Sequence, residues 1–81
     1  MSVFTPILVT AVRFTEAFDA IPTRIELDGI TYRLGNDYKK VTLESDDGTS
    51  NIFDLSDDTH RFRLREDMFH WRLISMSSRN A

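Results

Sequence analysis

Five side chains near the C-terminal end carry the strongest chemistry in this chain. Arg61, Arg63 and Arg65 stand at alternate positions, and so do His70 and Arg72. Alternate residues of an extended strand point to the same side, so a hairpin through this stretch gathers all five on one face. Guanidinium forks donate in pairs to carboxylates and phosphates, which suits that face to an anionic partner. The charge distribution agrees. Residues 1–58 hold 5 Lys/Arg and 11 Asp/Glu, a balance of −6, whereas residues 59–81 hold 5 Arg and 2 acids, a balance of +3. The acidic remainder repels a long polyanion, so a protein with an acidic surface is expected ahead of nucleic acid. A plainer reading competes. Alternating arginines are also what the solvated half of an amphipathic strand looks like, and charges blunt an edge against aggregation.

Catalytic and metal chemistry find little support. His60 and His70 are expected on opposite faces, and no cysteine exists to complete a zinc site. The acidic clusters Asp46-Asp47-Gly48 and Asp54, Asp57, Asp58 lack the alternating carboxylates and distal Glu of a calcium loop, and Asp and Gly serve turns. No serine sits in a Gly-x-Ser-x-Gly elbow. Gly29, Gly35 and Gly48 all fall at turn signals, so none is left to cradle a phosphate. The expectation is no enzyme, no metal and no cofactor.

The elements that must position the arginines read as short strands. With 81 residues, one domain spanning 1–81 is expected, with 77–81 as a disordered tail. From Thr23 onward, apolar and polar residues alternate between turn signals, the pattern of half-buried strands. Asp28-Gly29 suits a type I′ hairpin that sets Leu27 opposite Ile30 and Ile25 opposite Tyr32. A turn at Asn36-Asp37 then sets Tyr32 opposite Val41. A three-residue loop, Asp47-Gly48-Thr49, sets Leu43 opposite Phe53. Asp57-Asp58 sets Phe53 opposite Phe62 and Asp54 opposite Arg61. Glu66-Asp67 sets Leu64 opposite Phe69 and Arg61 opposite Arg72. In this register one inner face holds Ile25, Leu27, Ile30, Tyr32, Val41, Leu43, Phe53, Leu55, Phe62, Leu64, Phe69, Trp71 and Leu73. The outer face sets Arg24 beside Arg33 and Arg61 beside Arg72, like-charge pairs that destabilise a sheet unless something separates them.

Ile7 to Phe14 reads as a further strand. Thr15 to Ile21 reads as a short helical turn ending before Pro22, or as a loop that plugs a barrel end with Phe18 and Ile21. The fold class expected is all-β: a single-domain antiparallel meander of about six to seven short strands, curled into a small barrel or roll to bury its apolar face. Its first strand would pair with the last or cross an open end.

The expected function is a small non-enzymatic binding module. It would engage a protein with an acidic surface through Arg61, Arg63, Arg65, His70 and Arg72, or take up a strand, including that of a homodimer, at the edge of the last strand. The alternative is a small barrel that binds single-stranded DNA or RNA. The third reading is a small-ligand carrier. The apolar run Ile7–Val12 is too short to span a membrane and the first residues lack the basic region of a signal peptide, so a cytoplasmic protein with no membrane contact is expected.

Overall fold

A computed structural model describes residues 5–68 and 70–79. The chain is all-β, with no helix among the described residues. Eight strands follow in order: β1 (Thr5–Pro6), β2 (Leu8–Phe14), β3 (Ala20–Leu27), β4 (Ile30–Arg33), β5 (Tyr38–Ser45), β6 (Gly48–Ser56), β7 (His60–Asp67) and β8 (His70–Ser78). They form two antiparallel sheets, a five-stranded one in the order β1-β8-β7-β6-β5 and a three-stranded one in the order β2-β3-β4.

The single continuous meander is therefore corrected: β4 does not pair with β5, and no pairing among the described residues closes the sheets into a barrel. The Asn36-Asp37 segment is a corner between sheets, not a hairpin. Leu34 N still donates to Thr23 O of β3 (2.9 Å), while the next amide, Gly35 N, already donates to Ser56 O of β6 (2.8 Å). The chain switches sheets within one residue. It switches again at Ile7, whose N donates to Trp71 O of β8 (3.3 Å) before Leu8 pairs with Glu26 of β3. Both switch residues, Ile7 and Leu34, are buried.

Between the sheets lies one core. Ile21 and Ile25 of β3 meet Phe53 and Leu55 of β6 and Phe62 and Leu64 of β7, with Val9, Leu27, Tyr32, Trp71 and Leu73 packed around them. Burying each large side chain contributes about 1.5–3 kcal/mol. Tyr32 of the smaller sheet meets the Phe62 ring edge-on at 5.1 Å, tying the two layers together.

The hairpins divide into those that hold and those that slip. Asp28-Gly29 turns as expected, with φ of 51° and 80° and with Leu27 opposite Ile30 and Ile25 opposite Tyr32. The β5–β6 hairpin closes as a two-residue turn at Asp46-Asp47, so Val41 faces Ile52 and Leu43 faces Ser50, an odd shift of three residues from the expected partners. A one-residue slip exchanges the two faces of a strand. Val41 and Leu43 are accordingly 55% and 48% exposed, on the side away from the core, and Lys40 lies opposite Phe53 instead. Lys40 Nζ meets Asp19 Oδ1 of the β2–β3 loop at 3.0 Å, which suits that side. The later hairpins keep phase but shift by even steps: Leu55 faces Phe62, Phe53 faces Leu64 and Leu64 faces Leu73. Ile30 is exposed, and Phe69 lies outside the described residues.

The short helical turn is also corrected. Residues 15–19 form a hairpin loop in which Thr15 Oγ1 accepts from Asp19 N (3.1 Å). Phe18 takes a φ of 64°, a left-handed conformation that a right-handed helix cannot continue. It is exposed and plugs nothing, whereas Ile21 is fully buried. The expected first strand does not dock on the last: Leu8–Phe14 is β2 and pairs with β3 in the other sheet, while Thr5 and Pro6, which precede it, pair with β8. Ser77 and Ser78, expected in a disordered tail, belong to β8 and pair with Arg61 and His60; residues 80 and 81 lie outside the described residues.

Because the core stops short of the outer half of β5, two substitutions there should behave unlike one in the core. Leu64→Ala should cost about 2–5 kcal/mol. Val41→Ser and Leu43→Ser should each stay within about 0.5 kcal/mol of wild type in urea unfolding. A loss at Val41 comparable to that at Leu64 would mean β5 is turned the other way.

Candidate functional site

The five residues singled out by spacing do share a face. Arg61, Arg63 and Arg65 of β7 alternate with core residues Phe62 and Leu64, and His70 and Arg72 of β8 lie on the same outer side. The cross-strand rows differ from those expected. One runs Lys39, Asp54, Arg63, Ser75; the next runs Val41, Ile52, Arg65, Arg72, Pro6; a third runs Leu43, Ser50, Asp67, His70. Arg61 falls between Ser56 and Ser77. Asp54 thus stands opposite Arg63, not Arg61, and Arg72 opposite Arg65, not Arg61. The cause is that the last two turns lie one and two residues later than their acidic dipeptides suggested.

This register answers the problem of like charges. Arg63 Nε donates to Asp54 Oδ1 at 2.7 Å and Nη2 to Oδ2 at 3.2 Å, a two-pronged pair that raises the Arg63 guanidinium above its ordinary range. Beside the Arg65–Arg72 pair, Asp67 of the neighbouring row supplies a negative charge that acts on both. Its carboxylate accepts a hydrogen bond from the Ser50 hydroxyl and lies 2.9 Å from Arg65 Nε. The Ser50 bond is the main reason that Asp67 is held below the usual aspartate range; burial opposes this, and Arg65 and Arg72 reinforce it. On the other sheet, Arg24 does stand opposite Arg33 as expected, but its Nε and Nη2 are turned to the Oγ1 and carbonyl oxygen of Thr10 (2.9 and 3.3 Å).

Lys39 joins the face from β5, so five cations (Lys39, Arg61, Arg63, Arg65, Arg72) stand against two carboxylates (Asp54, Asp67). Val41, Leu43 and the half-buried Ile52 add an apolar border on the same side. Sequence reading missed Val41 and Leu43 here because it placed them in the core. The face carries no Phe, Tyr or Trp among the described residues; Trp71 points to the core side, half-buried, with its ring 5.4 Å from that of Phe53. The edge of β8 is partly occupied, since β1 pairs with Leu73 and Arg72.

The histidines are apart. His70 is exposed beside Asp67, whereas His60 lies on the core side, edge-on to Tyr32 with ring centroids 5.6 Å apart. Around His60 sits a cluster that sequence reading missed. Asp57 Oδ1 accepts from the amides of Thr59 (2.8 Å) and His60 (2.6 Å), and Thr59 Oγ1 lies 2.7 Å from His60 Nδ1. Asp-x-Thr in a turn is a legible signal for this side-chain-to-backbone bonding. Three groups used in nucleophilic catalysis converge here, but the carboxylate is spent on shaping the β6–β7 turn. Burial acts to raise the Asp57 pKa, and the two amide bonds, with His60 and the Thr59 hydroxyl, outweigh it and hold it below the ordinary range. Among the described residues, no group of three or more His, Cys, Asp or Glu is arranged to hold a metal ion, and no helix is long and apolar enough to cross a membrane.

Comparisons of the chain with protein-family models, curated proteins and solved structures returned no match.

The lowered Asp57 pKa has a pH signature. The folded value lies below the ordinary one of about 3.9, so this carboxylate stabilises the fold above that pH. The contribution is lost as pH falls through the lowered value. The melting-temperature gap between wild type and Asp57→Asn should be widest near neutrality and narrow in acid. A gap independent of pH would show that the negative charge of Asp57 contributes nothing.

Proposed function

We propose that this chain is a non-enzymatic binding module whose outer β5–β8 face docks a protein bearing an acidic surface. One observation carries the reading: the register brings five cations to one face against two carboxylates, beside the exposed Val41 and Leu43. Arg63 and Arg65 are engaged by Asp54 and Asp67, and pairing of that kind orients guanidinium groups without removing the net positive charge. A cationic surface with an apolar border has the make-up of an interface, where apolar contacts anchor and charges steer. An acidic protein is favoured over single-stranded nucleic acid because the described face offers no large aromatic ring for bases to stack on.

The two sheets, linked by the buried corners at Ile7 and Leu34, are read as one small bent roll that holds this face rigid. A single domain in the cytoplasm is in keeping with a core built without cysteine. Homodimer formation at the part of β8 beyond its pairing with β1 is a lesser route to partner binding on the same edge.

A backbone NMR titration of the full chain with an oligoglutamate at physiological salt tests the docking face. Shifts are expected on β5 and β7–β8, at Lys39, Arg61, Arg65, His70 and Arg72. Replacing the two arginines of this face without an acidic partner among the described residues, Arg61→Glu and Arg72→Glu, should weaken binding by at least about tenfold, or about 1.4 kcal/mol. Unchanged binding by the double variant would sink the reading. Shifts with a mixed-sequence single-stranded DNA that survive physiological salt, with none from oligoglutamate, would replace it with nucleic-acid binding.

A further inference from the structure

We propose that one end of this face is a receptor for a phosphoryl monoester, the dianionic group of a phosphorylated serine or threonine on the acidic partner. The proposal rests on the docking reading above and adds the chemistry of the ligand. A concavity of about 500 Å³ lies where β5, β6, β7 and the end of β8 meet. That volume is within the range of sites for small groups, about 300–1,000 Å³.

Its charge count selects the ligand. Four cations line it, Lys39, Arg61, Arg63 and Arg79, against the carboxylates of Asp37 and Asp54. Arg63 and Asp54 satisfy each other through their two-pronged pair. Lys39, Arg61 and Arg79 then face Asp37 alone, an excess of two positive charges. A phosphoryl monoester carries about −1.5 to −2 at neutral pH, with three acceptor oxygens. A single carboxylate or a phosphodiester brings only half that charge. Charge complementarity therefore favours the monoester over both a glutamate side chain and a nucleic-acid backbone.

The donors are held in place. Arg79 N donates to Thr59 O (3.0 Å) and its Nη1 to Asp57 O (2.9 Å), which fastens Arg79 beside the concavity. Those acceptors are neutral carbonyls, so neither bond cancels the charge of Arg79, which lies on the rim shared by this concavity and its neighbour. Arg61 is exposed near the start of β7, the central strand of the sheet, between Ser56 and Ser77. Ser75 and Ser77 add hydroxyls to the same wall, neutral donors that an anion accepts without cost in charge. The neighbouring concavity is a natural contrast. There Arg33 and Arg79 meet Asp37, Asp57 and Asp58, a negative excess that turns an anion away.

The test is a backbone NMR titration of the full chain with three small probes at physiological salt: O-phosphoserine, glutamate and dimethyl phosphate. Saturable shifts at Lys39, Arg61, Ser75, Ser77 and Arg79 are expected with O-phosphoserine, at least about tenfold tighter than with either monoanionic probe. They should weaken as pH falls through about 6, where the monoester takes up a proton. Arg61→Gln should abolish them. Arg79→Gln should weaken them, and the Trp71 near-ultraviolet signal checks that both variants remain folded. An equal response to all three probes, or none to O-phosphoserine, overturns the proposal. If oligoglutamate still binds the Arg65–Arg72 side in that case, the docking face stands without its phosphoryl site. If O-phosphoserine binds and oligoglutamate does not, the phosphoryl site stands and the acidic-surface reading falls.

Discussion

Phe53, Leu55, Phe62 and Leu64 present an apolar patch on the five-stranded sheet, and β3 covers it with Ile21 and Ile25. A sheet of three strands, one of them four residues long, cannot cover a sheet whose main strands run to eight and nine. This mismatch of sizes governs the rest. Where the sheets overlap, Phe53 and Leu55 of β6 and Phe62 and Leu64 of β7 are buried at alternate positions, which holds both strands against any slip of one residue. Where they do not, neither face of the strand is covered, and burial has no say in which way it turns.

The β5–β6 hairpin shows the result. From Val41 to Thr49 every residue is exposed. Its register is then decided by local forces: Ser45 Oγ bonds across the turn to Gly48 O (3.3 Å), and Thr42 Oγ1 meets Asn51 Oδ1 at 2.9 Å. Asn51 Nδ2 in turn donates to Glu66 Oε1 at 2.9 Å, continuing a polar ladder into β7. The same slip that exposes Val41 and Leu43 brings Lys39 to the cationic face and Lys40 to Asp19. Two consecutive lysines thereby serve opposite sides, one facing solvent beside Asp54 and the other tying β5 to the β2–β3 loop.

The cationic face is also a study in how a sheet tolerates crowded arginines. Like charges directly opposite each other cost stability; here Asp54 stands directly opposite Arg63, and Asp67, two residues from Arg65 on the same face, offsets the Arg65–Arg72 pair. Asp54 and Asp67 lie on that side because they alternate with Phe53, Leu55 and Glu66 along their strands. On the inner side, Arg13 reaches across the gap between sheets, donating from Nη2 to Asn36 O at 2.8 Å with its guanidinium 5.3 Å from the Tyr38 ring centroid. That contact braces the corner at which the chain changes sheets, and the corner in turn places Lys39 beside Asp54.

Much of this was determined by the amino-acid sequence alone. The all-β character, the Asp28-Gly29 hairpin and the inward placement of Phe53, Leu55, Phe62 and Leu64 follow from alternation and from the positive φ that Asp-Gly accepts, both of which act between near neighbours. So does the grouping of Arg61, Arg63, Arg65, His70 and Arg72, since even shifts of register leave faces unchanged. The division into two sheets, the facing of β5 and the pairing of each arginine with its acid were decided only by the tertiary structure. Whether Leu34 continues a hairpin or turns a corner depends on Ser56 and Thr23 waiting with free carbonyls, 22 positions after it and 11 before it. Whether Val41 is buried depends on how far a sheet of other residues extends. Neither is written in the residues beside it, because hydrogen-bond partners and covered area are properties of the assembled layers.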